Sequence, residues 1–249
     1  LSMTRVLIIG LDGMSVELLD VLMSRGITPT LRRLKHEGAS ATMRSTLPPV
    51  TAPAWASFAT GKNPGKHGCF DFVEIGPSIN STRPLSRPDI KAITFYEAAA
   101  SYGLKCILIN LPLSFPPLMR ENLILLASIT TRSKIKAYPR ELVKDIPLLS
   151  DYRVVPNAEL AVKGDMEKFV EDVRELERVR FDIAHYLLTS YDWDVFCVLF
   201  SGTDFLQHWL YDVLLGVRNL YGELDLYKDI DGYISRLINA APSDTNTFI

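Results

Sequence analysis

Apolar and polar positions alternate along the chain between two periods. "RVLIIGLDG" is a β-branched apolar run closed by glycines, and it predicts a buried strand over residues 5–10. "SVELLDVLMSRG" changes to helical spacing and stops at Gly26. "TPTLRRLKHEG" repeats that pattern, with Thr28 able to cap, Pro29 suited to the first turn and Gly38 ending the helix. "SATMRST" predicts a further strand, and a helix follows over about 52–60. Residues 74–89 are rich in Pro, Ser, Asn and Arg and predict a loop. "TFYEAAASYG" and "LKCILINLP" then predict a helix and a strand.

From about 114 to 165 the periodicity weakens and prolines recur, which predicts an insert or cap of short elements. "DMEKFVEDVRELERVRFDIAHYLLTSY" predicts a long amphipathic helix with room for one break. It leads into "WDVFCVLFSG", a continuous apolar run of the kind buried on both faces of a parallel sheet. "DFLQHWLYDVLLG" and "YKDIDGYISRLINAA" predict two more helices, and "TNTFI" begins a strand. Strand and helix alternate throughout, so the expected fold class is α/β, a mainly parallel sheet flanked by helices. Residues 3–249 are read as one such domain. Leu1-Ser2 before Met3 has the look of a cloning remnant.

Composition narrows the classes. The chain has 249 residues, is 47% hydrophobic and carries a net charge of −2, enough for one large core and without a global pull toward nucleic acid or anionic membrane. No uncharged apolar run approaches the ~18 residues of a membrane span. The N-terminus does not read as a signal peptide. The three isolated cysteines (Cys69, Cys106, Cys197) suggest reduced thiols and a cytoplasmic setting.

Ligands of such sheets sit beyond the carboxyl ends of the strands, and three candidates fall there. "GLDGMS" lacks G-x-G-x-x-G spacing, so its loop is not a dinucleotide cradle. Asp12 at the strand end suits a cation, or is a turn residue or cap. "PPVTAPAWASFATGKNPGKHG" puts Thr51 at a helix start, where the dipole and free N–H groups favour anions. Thr51 there is a held nucleophile or a plain cap. "GKNPGKHG" is one residue short of a P-loop and has His67 where Ser or Thr belongs, so His67 reads as a loop-stabilising side chain. In "SGTDFLQHW", Asp204 and His208 stand at i and i+4 on one helix face. They are half of a zinc or manganese site, or an N-cap and a buried histidine. His36 and His185 read as structural or solvated.

"LIIGLDGMS", "LPPVTAPAWASFATGKNPGKHGCFDF" and "FSGTDFLQHW", in this order, resemble the alkaline phosphatase superfamily in its type I phosphodiesterase/nucleotide pyrophosphatase branch. The group of predicted phosphohydrolases or phosphomutases is the most similar in look, and "ILINLPLSFPP" and "YDWDVFCVLFSGTD" look like it too. The resemblance implies a metal-dependent phosphohydrolase or phosphodiesterase acting on a small-molecule phosphoester. It implies two divalent ions, zinc or alternatively manganese. Asp12 and Thr51 would bind one, Asp204 and His208 the other, and Thr51 would attack phosphorus to give a phospho-threonine. A metal-dependent phosphomutase and a non-catalytic ligand-binding module of the same fold are the alternatives.

Sulfatases need Cys or Ser as nucleophile with Arg four residues on, where this chain has Thr51 and Trp55. Pyrophosphatase members carry Asn five residues after the loop histidine, where this chain has Phe72. The family also takes an Asp-His pair in "S-D-H-G" and a later His from its C-terminal part. Ser243-Asp244-Thr245 is not that motif, so the chain is expected to be the N-terminal part of a longer protein, incomplete at its C-terminus and inactive by itself. No partner macromolecule, membrane or oligomeric state is implied.

Overall fold

The computed structural model describes residues 4–76, 81–118, 121–131, 136–217 and 220–249. Leu1-Ser2 lies outside these residues. Six strands form the central sheet: β1 (Val6–Leu11), β4 (Cys106–Ile109), β5 (Leu123–Leu126), β6 (Ala137–Tyr138), β7 (Val195–Phe200) and β8 (Asn246–Phe248), in the order β6-β5-β4-β7-β1-β8. All neighbours are parallel except β5 and β6. β2 (Val73–Glu74) and β3 (Arg83–Pro84) pair antiparallel, so the expected loop over 74–89 carries a small ladder.

The period of two divides each inner strand between two cores. Leu7, Ile9, Ile107, Ile109, Phe196, Val198 and Phe200 pack on one face. Cys106, Leu108, Val195 and Cys197 pack on the other. Every residue of β7 is buried, as its unbroken apolar run requires. On the first face lie α1 (Val16–Ser24), α2 (Pro29–Glu37), α8 (Met166–Ser190), α9 (Gly202–Asp212) and α10 (Glu223–Ala240). The opposite face is covered by α3 (Thr51–Thr60) and α5 (Phe95–Ser101). A four-residue helix, α4 (Pro64–His67), follows α3. The short helices α6 (Leu142–Asp145) and α7 (Ala158–Val162) fall in 114–165, and the same stretch supplies β5 and β6 to the main sheet.

Three expectations change. Residues 40–46 form no strand; they run as exposed coil, since nothing among the described residues pairs with them. α8 is one continuous helix of 25 residues, its buried positions following one face from Phe169 to Leu188. Thr28 does not cap α2 through its side chain; the free N–H groups of Thr30 and Leu31 donate to the Asp231 carboxylate of α10, each at 2.9 Å. That satisfies two orphan donors of the helix start and ties α2 to α10. β8 pairs with β1 at the sheet edge, and no described helix is long and apolar enough to cross a membrane. The three cysteines are unpaired and buried.

Candidate metal and phosphoryl site

The carboxyl ends of β1, β7 and β4 are tied together by polar contacts. Asp12 follows β1 directly and continues the ladder by donating its N–H to Phe200 O at 3.0 Å. Its own carbonyl accepts the Thr203 hydroxyl at 2.5 Å. Asn110, after β4, donates through Nδ2 to Leu199 O at 2.9 Å and to Ser201 Oγ at 2.6 Å. The turns carrying Asp12 and Asp204 are therefore fixed to each other.

Asp204 is the third residue of α9, and Ser201, not Asp204, is the N-cap. Its Oδ2 lies 3.3 Å from His208 Nε2, and the His208 side chain is 70% exposed. The cap-plus-buried-histidine reading of this pair is thereby replaced by a carboxylate and an imidazole paired at the surface. Gly13 has φ of +69°, and a Cβ there would come 2.9 Å from Asp204 Oδ1. Glycine both permits the left-handed turn and lets the two strand-end loops touch.

Asp12 is buried, and burial raises its pKa from 3.8 to about 6; the Asp204 charge adds to the rise, and the Trp55 hydrogen bond opposes it. Burial also raises Asp204, with His208 opposing. Among the described residues neither acid forms an ion pair with lysine or arginine. Two acids that repel each other in a desolvated setting are a donor set suited to cations.

Thr51 is the first residue of α3, whose N-cap is Val50. Among the described residues no hydrogen bond takes up the Thr51 hydroxyl, so it does not serve as a cap. One turn along the same helix, Trp55 donates its indole N–H to Asp12 Oδ1 at 3.0 Å. That bond joins the Thr51 helix to β1. Trp55 was legible in the sequence only as the residue that is not arginine, and nothing in the sequence singled out Asn110.

His67 is buried away from these groups. Its Nδ1 accepts from Cys69 N at 3.1 Å, which leaves Nε2 to donate to Ser57 Oγ at 2.8 Å. Burial lowers its pKa, and it pins α4 to α3 as a neutral ring. Phe72 packs against the cluster of Ala52, Ala56 and Leu85. A cavity of about 900 Å³ lined by Arg87, Lys91, Glu97 and Glu121 includes none of Asp12, Thr51, Asp204 or His208. Among the described residues, no group of three or more His, Cys, Asp and Glu side chains gathers as a complete metal set.

No curated protein matches the sequence at a significant level. Among solved structures, the chain is similar to phosphonoacetate hydrolase from Sinorhizobium meliloti 1021 in complex with phosphonoformate, at 20% identity and a TM-score of 0.60, over 96% of this chain and 54% of that one. It is also similar to an inactive threonine-to-alanine variant of murine ectonucleotide pyrophosphatase / phosphodiesterase 5 in complex with AMP, at 13% identity and a TM-score of 0.51, over 95% of this chain and 52% of that one. At these identities the likeness is one of fold, and the chain spans about half the length of the structures it matches. The family model for type I phosphodiesterase / nucleotide pyrophosphatase matches residues 6–249. With the alkaline phosphatase-like fold and nearly the whole chain matched, this protein belongs to the type I phosphodiesterase / nucleotide pyrophosphatase family.

Proposed function

We propose that the protein is a metal-dependent phosphoester hydrolase that acts through a phospho-threonine at Thr51. The observation that carries the reading is the meeting of a buried acid, Asp12, and a half-buried one, Asp204, neither paired with lysine or arginine among the described residues, beside a helix that begins with an unengaged threonine hydroxyl. Asp12 with Thr51 would hold one divalent ion, and Asp204 with His208 a second. When bound, the ions supply charge to the phosphoryl oxygens and favour the alkoxide of Thr51. Zinc suits a carboxylate-imidazole set, and manganese is the alternative.

The chain's own groups then have defined tasks. The start of α3 presents Thr51 Oγ and the first N–H groups of a helix to an anion. As the Oγ–P bond forms, the P–O bond to the leaving alcohol breaks and the hydroxyl proton passes to solvent. Water then attacks phosphorus, the Oγ–P bond breaks and the hydroxyl is restored. Trp55 holds Asp12 in place throughout, and Asn110 holds the β7 end. The inactive murine variant exchanges a threonine for alanine, which agrees with a threonine nucleophile in this fold. Trp55, with its N–H turned to Asp12, stands where a sulfatase would carry arginine, and this favours phosphate over sulfate esters. The Phe72 side chain offers no hydrogen bond, so small phosphoesters beyond nucleotides fit the reading.

Metal content tests it. In the full-length protein, Asp204→Ala and His208→Ala should each lower bound zinc by about one ion per chain relative to the parent after equilibrium dialysis. Unchanged zinc in the double variant would refute the site.

A further inference from the structure

We infer that Glu177, in the middle of α8, is a positioning residue that sets the turn from which Asp204 and His208 project. The inference rests on the reading of those two residues as metal ligands. Glu177 is fully buried, and its Oε1 accepts the N–H groups of Ser201 at 2.9 Å and Gly202 at 2.5 Å. These are the N-cap and first residue of α9, two of the four donors that a helix start leaves without intrahelical partners. The approach is close enough that a Cβ on Gly202 would lie 2.8 Å from Glu177 Cγ. Gly202 is thus shaped around the carboxylate as the carboxylate is aimed at the turn.

The charge is held from behind. Arg180, also fully buried, donates through Nη1 to the same Oε1 at 2.5 Å. A buried carboxylate cannot stand alone, so the pair delivers an anion to a helix N-terminus, where the dipole favours it. Asp204 follows Gly202 by two residues and His208 by six, so a shift of the turn moves both. Thr203, between Gly202 and Asp204, is fastened to Asp12 O, and the same anchor thereby sets the spacing of the two acids. Groups one step behind ligands commonly change metal affinity about 10- to 100-fold when removed.

The pair Glu177→Gln/Arg180→Met and Glu177→Leu/Arg180→Met separates this role from charge pairing. Both remove the ion pair, and only the first keeps an acceptor for the two amides. Hydrogen exchange of metal-free protein is the first readout. In the glutamine variant the amides of residues 201–206 should keep protection within about threefold of the parent. In the leucine variant they should exchange at least about tenfold faster, while β7 and α8 stay protected. Zinc affinity of the full-length protein, measured by titration with the metal alone, should follow the same order, with loss in the leucine variant and rescue in the glutamine one. Equal protection in both variants would overturn the inference. In the parent itself, free exchange of the Ser201 and Gly202 amides would overturn it whether or not the variants fold. Asp204→Ala is the control for the underlying reading: if it leaves zinc binding unchanged the ligand assignment fails, while the exchange result still decides what Glu177 does to the turn.

Discussion

Two polar clusters in this molecule, one closed within the core and one at the carboxyl ends of the strands, are built to opposite rules. In the first, Arg87 and Glu97 close on each other. Arg87 Nε donates to Glu97 Oε1 at 2.8 Å, its other nitrogens reach Glu97, Ile90 O and Ala92 O, and Glu97 also takes the N–H and hydroxyl of Thr94. The second cluster holds Asp12, which accepts the Trp55 indole N–H, and Asp204, which pairs with the exposed imidazole of His208, and the Asp204 charge opposes ionisation of Asp12. Charge is neutralised inside the first cluster and left over in the second. A fold tolerates unbalanced buried charge only at a cost, and the cost is reasonable where a cation or a reacting group is to complete the set.

The closed cluster should matter for stability alone. Arg87→Met leaves Glu97 buried without its counter-ion and should lower unfolding free energy by about 3–5 kcal/mol. Zinc affinity of the folded fraction should stay within about twofold of the parent, because the pair contacts none of the proposed ligands. Denaturant melts and a zinc titration check the two halves, and a matching loss of affinity would break the contrast.

The open cluster should behave in reverse. The Asp12 pKa rises from 3.8 to about 6, so the native metal-free protein binds this proton more tightly than the unfolded chain does. Stability from that proton is full below 3.8 and disappears as pH rises through about 6. Two pH units correspond to at most about 3 kcal/mol. Asp12→Asn keeps the acceptor for Trp55 and should raise the metal-free melting temperature at pH 7, flatten its fall between about pH 4 and 6 and weaken zinc binding. Equal or lower stability at pH 7 would show that the acid is not strained.

Trp55→Phe is the mildest change. It keeps the ring packing and deletes the indole N–H that donates to Asp12. Zinc affinity should fall about tenfold, with little change in the circular dichroism of the folded state. An unchanged affinity would mean that β1 alone orients Asp12.

Much of this was legible in the sequence, and the limits have physical causes. β1, β4 and β7 declare themselves because strands buried on both faces need unbroken apolar runs. Asp12, Thr51 and Asp204 could be picked out because each follows a strand or opens a helix. Residues 40–46 misled because alternation makes a strand only where a partner supplies the ladder. The cap of α2 was assigned to Thr28 because local rules see neighbours, whereas Asp231 reaches it across 200 residues. The roles of Trp55 and Glu177 were hidden for the same reason: their partners lie 43 and about two dozen residues away, and only folding brings them together.

The central claim is that Thr51 carries the phosphoryl group. The direct measurement is mass spectrometry of peptides from the full-length protein quenched in acid during turnover of bis(p-nitrophenyl) phosphate with zinc. The account predicts a nitrophenyl-phosphoryl adduct on the peptide containing Thr51, absent in Thr51→Ala and regained in part in Thr51→Ser. Turnover at the parental rate in Thr51→Ala, or an adduct on another residue, would contradict it.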